Sequence, residues 1–419
     1  MLQKAEHFLL FLTLLFLPTQ LGKHFWPSFS YIYSLKVDYL SPTVYFWDLL
    51  VVGLILVWIL QKAKINSWSL NLWMLFMLTQ FISLVGAQNL GAGLVRFEQF
   101  SVAGLFGVYL ASSKCFSNCL WQNKVQSSKL YWPLVLGIAG ESAIAIAQFI
   151  KGATLGLWIL GERTFTITTP AIAKFDFYGI EFLRPYATFP HPNVLAGYLL
   201  VVVVILRRLA EGSPANAGPK QVGRFPAPLG MTIVVNVVAG LTIFLTMSRT
   251  AIAVSLLLLP FLLKRKWLIL AGVLLLAVSP FIYTRFSSLF SFDNLSLIRR
   301  EQLSEAALQL LFKSPFFGVG LNNFIPALAN NLITGPSRFL QPVHNIFLLT
   351  LAETGIIGFL GLIAFIFYPM IKSKNFLIWV VIIFLGLFDH YFLTLPQGYR
   401  LLFLVWGLSF SALSSKSHN

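Results

Sequence analysis

The sequence predicts an all-α polytopic membrane protein of about twelve transmembrane helices, with a large external loop that carries an amphipathic helix. Three observations predict it. Of the 419 residues 57% are hydrophobic and only 11% charged, where a soluble domain carries roughly 25% charged residues. Runs approaching the roughly 20 apolar residues that a helix needs to cross hydrocarbon recur along the whole chain. Alternating apolar and polar residues, the mark of a membrane barrel, are absent. The mean hydropathy of +0.79 agrees.

The first candidate span, 7–22, follows a short charged start. Its apolar run resembles a secretion signal, but no small-residue cleavage pattern follows, so it reads as a retained span. Further spans are expected over 45–61, 70–88, 97–112, 131–150, 193–206, 230–247, 250–263, 267–282, 345–368, 376–394 and 399–413. The apolar stretch 230–263 is too long for one crossing, and Ser248 and Arg249 break it into two spans joined by a polar turn.

Charge sets the orientation. The net charge of +16 reads as loop charge rather than as a nucleic-acid surface. Twelve spans put Lys4, Lys62, Lys64, Lys114, Lys124, Lys129, Arg207, Arg208, Lys220, Arg224, Lys264, Arg265, Lys266, Lys372, Lys374 and Lys416 on one face. The positive-inside rule makes that face cytoplasmic, with both termini on it. Cys115 and Cys119 fall there too, in a reducing compartment, and two thiols cannot complete a zinc site. One integral domain results. It divides into helices 1–150, an external loop 151–192, helices 193–282, a large external loop 283–344, and helices 345–419. In the large loop Leu303, Ala306, Ala307, Leu310 and Leu311 form an apolar stripe opposite Arg300, Glu301 and Glu305, as expected of a helix lying along the outer membrane surface.

This topology brings Arg184, His191, Arg249, Arg338 and His344 to the external face from three distant parts of the chain. Each alone reads as a snorkelling or capping residue; their convergence reads as a site. In "RPYATFPHPN" the prolines flanking His191 hold its backbone extended, and Asn193 is placed to cap the following span. Guanidinium forks match phosphate oxygens, so an anion at the lipid surface is expected, a lipid-linked phosphate or diphosphate. Asp48, Glu98, Glu141, Glu353 and Asp389 lie in spans, either as a proton path or as structural partners. No helix repeats acids regularly, which weakens the proton path. No paired carboxylates occur in the external loops, so no metal and no cofactor is expected.

Several motifs together resemble the O-antigen ligase and O-antigen polymerase superfamily. "HNIFLLTLAETGIIG" is similar to its signature of His-Asn, nine residues and Gly-x-x-Gly. "KSPFFGVGLNNF" resembles the Pro-x-x-Gly-x-Gly stretch before it. "RPYATFPHPNVLAGYL" and "TMSRTAIA" resemble its arginine-bearing segments, and "DHYFLTLPQGYRLLFLVWGL" its closing pair of spans. The resemblance covers roughly 180–410 and implies a membrane glycosyltransferase of the GT-C-like kind. Its donor is a glycan on a polyprenyl diphosphate; its acceptor is a hydroxyl of a glycan, glycolipid or other molecule at the outer face of the cytoplasmic membrane. Ligases and polymerases of the superfamily share this chemistry, and a lipid-linked glycan flippase is the reading from another class. The resemblance implies His344 as general base, Arg184 and Arg249 on the diphosphate with Arg338 as a third cation, His191 on the diphosphate or donor sugar, and Asn345 as a cap that holds the imidazole. Gly355 and Gly358 read as packing glycines.

Overall fold

The computed structural model describes residues 1–113, 127–211, 229–262, 265–287, 295–331, 340–373 and 375–411. Its helices are α1 (Leu2–Leu15), α2 (Phe46–Leu60), α3 (Ser67–Ser83), α4 (Leu90–Ser112), α5 (Ser127–Lys151), α6 (Pro192–Glu211), α7 (Leu229–Leu245), α8 (Arg249–Leu262) and α9 (Arg265–Ser287). After them come α10 (Leu295–Lys313), α11 (Phe324–Asn331), α12 (Ile346–Lys372), α13 (Phe376–Phe388), the single turn α14 (Tyr391–Thr394) and α15 (Pro396–Ser411). A helix occupies each of the twelve candidate stretches. Among the described residues six segments are long and apolar enough to cross a membrane: Ser67–Gly86, Leu90–Ser112, Lys129–Lys151, Pro192–Leu209, Trp267–Ser287 and Ile346–Lys372. Of these, Trp267–Ser287 is apolar yet has none of its most hydrophobic window buried in protein, the pattern of a helix that faces lipid.

Two expectations change. The chain is mainly but not wholly helical: the connections hold the two-stranded ribbons β1 (Gly22–His24) with β4 (Thr43–Tyr45), β2 (Tyr31–Ile32) with β3 (Leu35–Lys36), and β5 (Lys174–Phe177) with β6 (Ile180–Leu183). Polar loops at a membrane surface must satisfy their own backbone groups, and short hairpins do so locally. The eleventh span also ends earlier than expected. Helix α13 stops at Phe388, which leaves Asp389 and His390 in a break before α14.

The core is one apolar cluster built from α1, α2, α4, α5, α6, α12, α13 and α15. Helices α4 and α15 run against each other so closely that a Cβ on Gly407 would lie 2.4 Å from the Gly107 carbonyl oxygen. In lipid such contacts, rather than apolar burial, drive helices together. A second cluster joins α10, α11 and α12 through Leu303, Ala306, Ala307, Leu310, Leu328, Leu349 and Ala352. The stripe on α10 therefore faces protein, with Glu301 and Glu305 exposed.

Gly355 has a role beyond the packing one expected of it. It sits at φ 63° and ψ −167° inside α12 and kinks the helix. The kink frees two carbonyls, which the "SPFFGVG" turn segment covers: Val319 N donates to Ala352 O at 3.0 Å and Gly320 N to Glu353 O at 2.8 Å. Ile356 N donates back to Pro315 O at 2.8 Å. A Cβ on Gly355 would meet the Phe316 backbone at 2.4 Å, and one on Gly358 would meet Thr354 Cβ at 2.2 Å, an atom that no rotamer change moves. Gly355→Ala and Gly358→Ala are each expected to cost about 1–3 kcal/mol, as read by thermal melting of the two variants in detergent.

Candidate functional site

The segment from Arg184 to Asn193 is held by α5. Gln148 accepts from Tyr186 N at 3.0 Å and Ala187 N at 2.8 Å, and its amide donates to Glu162 at 2.7 Å. Glu141 accepts from Thr188 N at 3.1 Å and from the Thr188 hydroxyl at 2.7 Å. These acids and amides are clamps. Asp48 likewise accepts from Tyr45 N at 3.0 Å and faces the buried Arg400 at 3.8 Å, while Glu353 accepts from Phe324 N at 3.1 Å. Structural partnership thus accounts for these four acids, Asp48, Glu141, Glu353 and, below, Asp389.

The clamped segment aims Arg184 at the turn between α7 and α8. Arg184 Nε donates to Thr246 O at 2.6 Å. Met247 takes φ 50°, which turns the next carbonyl another way, and Arg285 Nε donates to it at 2.8 Å. Arg249 Nε donates to Arg285 O at 3.0 Å. Three guanidiniums from separate segments are thereby laced through one turn. With Arg299 and Arg300 of α10 they line a cavity of about 750 Å³ whose lining includes, among the described residues, five arginines and no carboxylate. Its other walls are apolar side chains, among them Val254, Leu257, Phe384 and Phe388. Burial chiefly, with help from Arg249, lowers Arg184 to about 10, so it is still cationic at neutral pH. Arg285 and Arg300 were not singled out from the sequence as binding groups. Arg285 ends a lipid-facing span and Arg300 sits on the polar face of α10, places where an arginine usually snorkels. Arg338 lies outside the described residues.

Asn193 does not cap α6. Its side chain accepts from Arg184 at 2.7 Å and donates to Asp389 at 3.3 Å. The capping falls to His191, whose Nδ1 accepts from Asn193 N at 3.1 Å and whose carbonyl accepts from Val194 N at 3.0 Å. Pro192 then opens the helix, where its missing N–H is no loss. Because Nδ1 of His191 is an acceptor, the proton of the neutral ring sits on Nε2. Burial and the Arg184 charge lower His191 to about 3. It is a neutral donor.

His344 follows Val343 at the mouth of α12. Asn345 caps that helix, accepting from Phe347 N at 2.9 Å and Leu348 N at 3.0 Å, which fixes the backbone beside the imidazole. His344 Nδ1 is buried without a hydrogen-bond partner. Its ring stands 5.0 Å from that of His390, at 72°. Burial first, then Arg300, lowers His344 below its ordinary 6.5, against the pull of Asp389. Burial opposes the charge of Asp389, yet His390, His344 and Arg300 hold it below its usual range, so it stays a carboxylate.

A second cavity, of about 430 Å³, lies on the other side of the two histidines. His191, Asn193, Gln341 and His344 line both. The second is walled by Gln20, His24, Asp38, Tyr39, Tyr45, Gln99, Trp158, Arg163 and His390, so it mixes both charges with aromatic rings and amides. Much of this wall comes from the connection 22–45, which the sequence presented only as a gap between spans.

Residues 234–363 match the family model described as O-antigen ligase. That stretch is under a third of the chain; over it the chain is similar to the O-antigen ligase family. None of the curated proteins matches the chain. The matched segment holds Arg249, Arg285, Arg300 and His344, and the family in general consists of membrane enzymes that transfer glycosyl groups. Arg184 and His191 lie before the matched stretch and reach it through the turn at Thr246.

Two measurements check this geometry. Gln148→Ala strips the acceptor from two buried amides and is expected to destabilise the protein by about 1–3 kcal/mol for each unsatisfied group, read by thermal melting. Inorganic diphosphate is expected to raise the melting temperature of the wild type and not that of Arg285→Gln.

Proposed function

We propose that this chain transfers a glycan from a polyprenyl diphosphate to an acceptor hydroxyl at the outer face of the cytoplasmic membrane. One observation carries the reading: an arginine cavity with no carboxylate among its described residues and a mixed polar-aromatic cavity meet at His344. The first suits a diphosphate, since guanidinium forks pair with its oxygens. It also opens sideways onto lipid. Val254, Leu257 and Phe384 belong as well to an apolar groove of about 500 Å³ between α6, α8 and α13, which continues to Phe261. From Thr250 to Phe261 that is roughly 17 Å of helix, a bed for the first part of an isoprenoid tail. The second cavity suits a sugar, which wants amides and carboxylates for its hydroxyls and aromatic faces for its C–H edges.

The reaction is a single displacement. The acceptor oxygen attacks the anomeric carbon, the bond from that carbon to the diphosphate oxygen breaks, and its electron pair leaves with the diphosphate. The hydroxyl proton passes to His344. Of the three nearby histidines His344 fits this role best. His191 spends its lone pair on Asn193 N, and His390 lines only the second cavity, whereas His344 lines both and has a nitrogen without a partner. Arg184, Arg249 and Arg285 neutralise the growing charge on the leaving group, a contribution that is strong because they are fixed before the reaction begins. The arginine charge is enough for that task, so a metal-independent reaction is inferred. A single displacement inverts the anomeric carbon; Asp389, the carboxylate beside His344, is engaged by the Asn193 amide and by His390 N. The acceptor is a hydroxyl of a glycan or glycolipid, chemistry that ligases and polymerases share.

Transfer from a synthetic polyprenyl-diphosphate oligosaccharide, in reconstituted membranes with chelator, tests the proposal. Wild type is expected to form a new glycosidic bond. His344→Ala is expected to lose about 10²- to 10⁴-fold, and Arg249→Ala or Arg285→Ala about 10²- to 10³-fold. A wild type that only moves the lipid across the bilayer contradicts the proposal. The base must be unprotonated, and its pKa lies below 6.5, so activity falls as pH drops through the folded value. The acidic limb of kcat/KM is therefore expected to have its midpoint below 6.5, and a midpoint above 7 assigns the base elsewhere.

A further inference from the structure

We infer that His344, Asp389 and His390 form a binding site for a zinc-like transition-metal ion, and that the bound ion shuts off transfer by occupying the base. One nitrogen from each imidazole and one carboxylate oxygen lie within 4.8 Å of one another. Two imidazoles and a carboxylate, with one position open, form a common zinc ligand set. A tetrahedral ion at about 2.1 Å from each ligand needs them roughly 3.4 Å apart, so the three must close by about an ångström.

Two further observations favour a metal over a plain hydrogen-bonded triad. The Thr394 hydroxyl lies 3.1 Å from His390 O and 2.6 Å from His390 Nδ1, so when it donates to the carbonyl it accepts from Nδ1. In that tautomer Nε2 keeps a lone pair, 3.9 Å from Asp389 Oδ1. His344 Nδ1 is also buried and has no partner. Two imidazoles and an anion stand together with lone pairs to give, and an outer-shell hydroxyl already orients one ring as metal-bound histidines usually require. Hard cations such as magnesium prefer an all-oxygen shell, so the site selects the later first-row ions.

The inhibitory consequence rests on His344 as the base; the binding does not. The test uses the full chain in nanodiscs with any affinity tag removed, titrated with Co²⁺ alone as the spectroscopic stand-in for zinc. Wild type is expected to bind one ion with the visible bands of a four- or five-coordinate site, and His390→Gln to lose them. X-ray absorption of the wild-type zinc complex is expected to show nitrogen and oxygen ligands with the scattering pattern of two imidazoles. No bands, bands unchanged in His390→Gln, or a shell without imidazole overturns the site. In the transfer assay zinc is expected to slow wild type about a hundredfold or more, the loss that follows when a general base is withdrawn. The rate that His390→Gln retains should be indifferent to zinc. Binding without inhibition keeps the site but removes His344 from the role of base, so the two inferences fail separately.

Discussion

The structure turns on the three residues between α7 and α8, Thr246, Met247 and Ser248. Two successive carbonyls there, of Thr246 and Met247, point in different directions because Met247 takes a left-handed conformation. Each receives an arginine from elsewhere in the chain, Arg184 and Arg285. Clustered guanidiniums repel one another; at an effective dielectric near 20 and a separation of several ångströms the cost is roughly a few kcal/mol per pair. A charge-assisted hydrogen bond returns only about 1.5–3 kcal/mol. The carbonyls therefore fix the arginines in place without cancelling their charge, and the cavity they line favours an anion. The lowering of Arg184 to about 10 is the same tension seen from one residue.

The residues around it serve that turn or the histidines beside it. Glu141 and Gln148 hold the segment that delivers Arg184. Asn193 ties Arg184 to Asp389, and Asp389 stands beside His344 and His390. The Gly355 kink lets the "SPFFGVG" turn segment lie across α12, which also packs against α10 and so sets the helix that carries Arg300. A diphosphate in the first cavity and a sugar in the second would touch the same imidazole, the arrangement a displacement needs, because two reactants held in line react far faster than two that meet by diffusion.

Much of this was legible in the residues. Hydropathy marks twelve stretches that each hold a helix, six of them long and apolar enough to cross a membrane among the described residues, because a helix in lipid must be apolar nearly throughout. His344, Asn345, Arg184, His191 and Arg249 stand out because polar groups beside such stretches are costly and few. What stayed hidden has physical causes. Arg285 and Arg300 look like ordinary interfacial arginines, and only the fold shows that both face one cavity. Asn193 sits where a cap belongs, but a histidine held by prolines took that place and freed its amide for Arg184. The wall supplied by residues 22–45 has no periodic pattern, since its short ribbons are set by tertiary contacts. The role of Gly355 depends on a turn segment 35 residues earlier covering the carbonyls it frees, a long-range pairing that no local signal announces.

The most direct test is electron cryomicroscopy of the chain in nanodiscs with a non-hydrolysable polyprenyl-diphosphate glycan. The diphosphate is expected between Arg184, Arg249 and Arg285, with the isoprenoid passing along α8 and α13 and the first sugar beside His344. Density for the diphosphate away from these three arginines, or for the sugar on the far side of α12 from His344, contradicts the reading.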